Sequence, residues 1–125
     1  MTIRHTRLKW LLSLFFVLLG WSLTAAQTAN EVSVTIEIFA DSTNHLTATL
    51  RVPAGANARE VMDKHFKMDY ADFTHRFVSG IAGFKAAAKD RKFWKLEIDG
   101  EASKVGIAEV KITKPVRLRW VMASF

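Results

Sequence analysis

KFWKLEIDGE, residues 92–101, is the stretch on which the reading of this chain turns. Residues 93–98 alternate as a strand does, and Asp99-Gly100 supplies a tight turn after them. Alternation puts Trp94, Leu96 and Ile98 on one face and Phe93, Lys95, Glu97 and Asp99 on the other. Trp94 keeps aliphatic company, so it reads as core. A buried tryptophan hides roughly 150–250 Å². At about 25 cal/mol per Å² this is of order 4–6 kcal/mol as an upper bound. The net stability of a small domain is about 5–15 kcal/mol. Trp94 and Trp120 together are then enough to anchor a core, and Phe93 is left facing the other way.

Working outward, VSVTIEIF (32–39) alternates strictly, with Val32, Val34, Ile36 and Ile38 on one face. LTATLRV (46–52) alternates again beyond a polar turn, so the two runs read as a hairpin. Pro53 and Gly55 break the pattern. Asn57 followed by Glu60 resembles a helix-capping pair, and Val61, Met62, His65 and Phe66 form an apolar stripe over a short helix at 57–67. So short a helix is unstable alone and must lie on the sheet. FTHRFVSG (73–80) reads as a third strand, residues 86–92 as a loop or one helical turn, and EVKI (109–112) as a short strand. VRLRWVM (116–122) closes the chain, with Val116, Leu118, Trp120 and Met122 inward. One helix against one mixed sheet is a two-layer α+β solution, and its most economical form is a β-grasp (ubiquitin-like) arrangement.

The front of the chain follows a different logic. Arg4, Arg7 and Lys9 precede the uncharged stretch WLLSLFFVLLGWSL (10–23), and small residues follow. This is the pattern of a secretory signal peptide, with cleavage expected after Ala26. The apolar stretch is shorter than the roughly 20 residues of a spanning helix. Membrane association is therefore expected only through the uncleaved leader, and the mature chain, residues 27–125, is expected to form one exported domain, periplasmic or secreted. The leader carries three cations and no acid, so the net charge of +6 falls to +3 on its removal. Neither that charge nor an exported location points to nucleic acid.

Little in the mature chain is arranged for catalysis. His45, His65 and His75 have no metal-ligand spacing on one element. Asp69 and Asp72 flank Tyr70, where loop or capping roles suit them better than acid–base work. The sequence holds no phosphate loop, nucleophile elbow or thiol, so a non-enzymatic role, without a catalytic cofactor or metal, is expected. The helix must cover the inward face, which leaves the opposite face and its rim for any ligand. There Phe39, Phe93, Lys95, Arg117 and Arg119 are expected to converge on a flat or anionic ligand, with Trp94 as the floor beneath and the 99–103 turn beside them.

The order of FVSGIAGF (77–84), FWKLEIDGE (93–101), SKVGIAEVKI (103–112) and VRLRWVM (116–122) resembles the transcobalamin C-terminal-like domain family. That family carries an aromatic pair before a Leu-x-Val-Asn-Gly turn, then a Val-Gly segment and a final strand with a tryptophan. Phe93-Trp94 match the pair, Leu96 to Gly100 the turn strand with Asp99 in place of Asn, and Gly106 and Trp120 the later positions. RVPAGANAREVM (51–62) resembles the lead into the family's helix. The resemblance implies a β-grasp-like fold and a share in binding cobalamin or a related corrinoid. In the transcobalamins the domain closes over a ligand held largely by a separate helical domain, so a second exported protein would complete such a site here. The alternative is a protein–protein interaction module of a secreted or surface assembly, working through an edge strand or the open sheet face without a small molecule.

Overall fold

The computed structural model describes residues 30–125. The signal peptide expected over residues 1–26 lies outside them. Val32–Phe125 form one compact unit built around a five-stranded mixed sheet, in the order β2-β1-β10-β7-β8. Its strands are β1 (Glu31–Phe39), β2 (His45–Pro53), β7 (Lys92–Ile98), β8 (Glu101–Ala102) and β10 (Val116–Ser124). β1 and β10 run parallel, with Ile36 beside Leu118 and Ile38 beside Trp120. β10 and β7 run antiparallel, with Trp120 beside Leu96 and Met122 beside Trp94. These rows carry the inward side chains. Val34, Ile36, Ile38 and Leu118 are fully buried, and Trp94 and Trp120 close the same core.

The turns follow from local chemistry. The Asp41 carboxylate accepts from the amides of Thr43 and Asn44, at 2.9 and 2.8 Å, and closes the β1–β2 hairpin. Asp99 (φ 50°) and Gly100 (φ 87°) both take positive φ, the two-residue turn whose twist matches a hairpin. Asp99 also accepts from the Arg117 amide at 2.9 Å, which ties this turn to β10.

The helix, α1 (Ala58–His65), begins at Asn57, whose side chain accepts from the Glu60 amide and donates to the Ala108 carbonyl. It presents Ala58, Val61 and Met62 to the core. His65 does not join them. As the last helical residue it keeps its side chain exposed, while Phe66 follows in extended backbone and packs against the core. Two small sheets frame the helix: β3 (Ala56–Asn57) with β9 (Lys111–Ile112), and β4 (Met68–Tyr70) with β5 (Val78–Ile81) and β6 (Phe84–Lys85). Short 3-10 turns occupy Ala88–Asp90 and Ile107–Glu109, so of the strand expected at 109–112 only the last two residues pair.

The strand expected at 73–80 begins only at Val78. Residues 71–77 form a turn instead, because the Asp72 carboxylate captures the amides of Arg76 and Phe77, at 3.2 and 2.9 Å, together with the Thr74 hydroxyl. Backbone groups that would have entered a ladder are used within the turn. Phe73 and Phe77 are left 95% and 68% exposed.

Trp94 is 7% exposed and Phe93 40%. Trp94→Ala is therefore expected to cost about 3–5 kcal/mol in chemical denaturation. Phe93→Ala should cost about 1 kcal/mol or less. Equal losses would contradict the facing of β7.

Candidate functional site

On the open face of the sheet, register sets the side chains in rows. Phe39, Val121 and Lys95 form one row, and Glu37, Arg119 and Glu97 the next, with Thr35 and Arg117 beyond. Glu37 is the hub. Its carboxylate lies 3.3 Å from Arg117 Nε and 3.8 Å from Arg119 Nε. The Arg119 guanidinium sits 4.4 Å from the centre of the Phe39 ring, which stacks on His45. Lys95 pairs with Glu97 at 3.9 Å. Phe93 lies apart, beside Phe125. The expected cations are thus on one face, but each already holds a carboxylate. A shallow depression of about 450 Å³ lies among Ser33, Thr35, Glu37, Arg117 and Arg119. An anion entering it would compete with Glu37 for both arginines.

A second concavity, of about 400 Å³, lies along the edge of β7. β8 pairs with β7 only at Glu97 and Ile98, and a single further bond joins the Ser103 amide to the Leu96 carbonyl. Beyond Leu96 the edge opens into a cleft lined by Phe77, Trp94, Leu96, Val105 and Trp120, with Phe93 and Lys95 on the rim. The helix therefore covers only part of the inward face. Trp94 donates through Nε1 to the Phe84 carbonyl at 3.3 Å. Trp120 is 3% exposed, and its Nε1 is buried without a hydrogen-bond partner. A mostly apolar cleft with an aromatic floor suits a flat apolar group.

Two turns hold the rim. Ser103 Oγ donates to the Val105 carbonyl at 2.6 Å and accepts from the Val105 amide, fixing a half-exposed Val105 at the mouth. The Asp72 turn places Phe77 opposite, and Arg76 reaches Glu109 at 3.9 Å beside it. The hydrogen bond from the Thr74 hydroxyl, then that from the Phe77 amide, holds the Asp72 carboxyl below its ordinary range. Tyr70, expected between two carboxylates, instead donates to Asp63 at 2.5 Å, and burial, then this bond, pushes its hydroxyl up. Asp72 is committed to its turn and Asp69 lies against Gly80, so the pair does not form a shared acid–base site.

The structure thus gathers Phe93, Trp94 and Lys95 at the cleft and leaves Phe39, Arg117 and Arg119 on the open face. Phe77, Val105 and the inner side of Trp120 complete the cleft, and reading the sequence did not single out the first two. The run Asp72-Phe73-Thr74, an acid two residues before a hydroxyl, was the available signal for the turn that carries Phe77. Among the described residues no group of three or more histidines and acids is placed to hold a metal, and no helix is long and apolar enough to cross a membrane.

A family described as a domain of unknown function (DUF4430) matches residues 55–123. No curated protein matches the sequence. Among solved structures, haptocorrin in complex with Cbi is similar at 20% identity with a TM-score of 0.58. That likeness covers 76% of this chain and 25% of haptocorrin, so the chain spans a quarter of that protein's length. A Ruminococcus gnavus ATCC 29149 protein, provisionally described as metal binding, is similar at 8% identity with a TM-score of 0.58, covering 77% of this chain and 98% of that one. At these identities the likeness is one of fold.

The Asp72 turn has a defined pH response. A carboxyl whose folded pKa lies below its ordinary 3.8 stabilises the turn fully above that value, and the contribution is lost as pH falls through the folded pKa. Amide hydrogen exchange at Arg76 and Phe77 is expected to lose protection on acidification below about pH 4, ahead of the β10 amides. Asp72→Ala should abolish that protection at neutral pH. Unchanged protection in the variant would contradict the role given to Asp72.

Proposed function

We infer that this chain, which belongs to the DUF4430 family of domains of unknown function, is an exported, non-catalytic binding domain that grips part of a corrinoid or similar flat ligand. The observation that carries the reading is the cleft along β7, where Trp94 and Trp120 form an apolar floor beneath Phe77 and Val105. Lys95 on the rim adds a cation for any acidic substituent. A corrin macrocycle is larger than about 400 Å³, so the cleft would hold one edge of it and leave the remainder for a second exported protein. The exposed Phe73 and Phe77 give such a protein apolar surface to cover.

Three further supports come from outside the cleft. The fold is similar to that of about a quarter of haptocorrin, whose structure was determined in complex with Cbi. The β-grasp reading draws on the β1–β2 hairpin, the following helix and the parallel β1–β10 pair. Export, with cleavage after Ala26, draws on the basic start, the apolar stretch and the small residues of the leader.

Titration with cobinamide and cobalamin, followed by tryptophan fluorescence, tests the reading. Saturable quenching is expected. Phe77→Ser should weaken binding about tenfold, or about 1.4 kcal/mol. The double charge reversal Arg117→Glu, Arg119→Glu should leave binding intact, because both arginines lie outside the cleft. Absence of any saturable change with either corrinoid would overturn the ligand class. Loss of binding in the double variant alone would move the site to the open face.

A further inference from the structure

The five-stranded sheet has two unlike edges. β8 is two residues long, as protected edges often are, whereas β2 is nine residues long. Sheets usually blunt a long edge with lysines, prolines, bulges or inward charges. The middle of β2, Leu46-Thr47-Ala48-Thr49-Leu50, carries none of these residue types. Arg51 and Pro53 stand at one end and His45 at the other. β2 is the terminal strand in the sheet order, so the outward N–H and C=O groups between Leu46 and Leu50 have no ladder partner among the described residues. The inner layer also thins along it. Val52 is 4% exposed, but Leu46, on the same face, is 44% exposed.

We propose that the β2 edge pairs with the β2 edge of a second copy of this chain, antiparallel about a two-fold axis through Ala48. The occupant is identified by the sequence of the edge itself, because LTATL reads the same in both directions. A two-fold axis sets each position of the edge against its mirror position, and in this sequence that places like against like. About this axis Ala48 faces its own mate, Thr47 faces the partner's Thr49, and Leu46 faces the partner's Leu50. Thr–Thr and aliphatic cross-strand pairs are favourable, and the five paired positions bring no like charges together. The exposed Leu46 gains an apolar neighbour where its own core thins. The two five-stranded sheets become one of ten. The axis lies at the opposite end of the strand order from the β7 cleft, and the proposal does not depend on the ligand reading.

The chain contains no cysteine, which makes a direct test possible on protein produced from the full chain. Sedimentation equilibrium is expected to show a monomer–dimer equilibrium in the micromolar range. Leu46→Lys should weaken the dimer at least about tenfold while leaving far-UV circular dichroism and thermal melting unchanged, since Leu46 is exposed. Under mild oxidation Ala48→Cys should form a covalent dimer at least about tenfold faster than the exposed control Lys89→Cys, because pairing raises the effective thiol concentration. A protein that stays monomeric, with Ala48→Cys no faster than Lys89→Cys, would overturn the proposal. So would a dimer that Leu46→Lys leaves intact.

Discussion

The pairing of β7 with β10 holds the rest in place. β10 pairs along the whole of β7 and lies parallel to β1 on its other side, so the aromatic strand is fixed against the centre of the sheet. On its outer side β7 meets β8 only at Glu97 and Ile98. After the tight turn at Asp99 and Gly100 the returning chain pairs for two residues, adds one bond from the Ser103 amide to Leu96, and then leaves the ladder. The tryptophans are thus buried by the sheet and helix on one side and border an uncovered edge on the other. Core packing and the candidate binding surface draw on the same two side chains.

That double use explains the contrast between the faces of the sheet. The open face is polar and largely ion-paired, with Glu37 held between two arginines and Glu97 beside Lys95, although Arg119 Nε is buried there without a hydrogen-bond partner. Exposed ion pairs of this kind contribute little to stability, and they leave few groups free for a ligand. The inward side beyond α1 has the opposite character. Its aromatic floor has no polar competitor, and its rim is set by turns that Asp72 and Ser103 close with their own side chains. Rigid turns carrying exposed apolar residues reduce the entropy lost on binding.

The strands that build the central sheet were legible because each has one buried face, and burial imposes a period of two on β1, β7 and β10. Trp94 and Phe93 were placed on the correct sides by that rule alone. The helix was legible through Asn57 and the Val61–Met62 stripe, but its end was not, since Phe66 keeps the apolar pattern while its backbone has already become extended. Residues 73–77 alternate as a strand would, and only the side chain of Asp72 diverts them. The cleft was the least legible feature. It depends on how little of β7 is covered by β8 and on Phe77, Val105 and Trp120 arriving from three separate segments. Periodicity within a segment carries no information about that meeting.

The proposed binding surface is formed by the inward tryptophans and not by the open-face arginines. Amide and indole chemical-shift mapping during a cobinamide titration tests it most directly. Shifts are expected at the Trp94 and Trp120 indoles, Phe77 and Val105, with Phe39, Arg117 and Arg119 unmoved. Shifts concentrated at Phe39, Arg117 and Arg119, with both indoles unchanged, would contradict it.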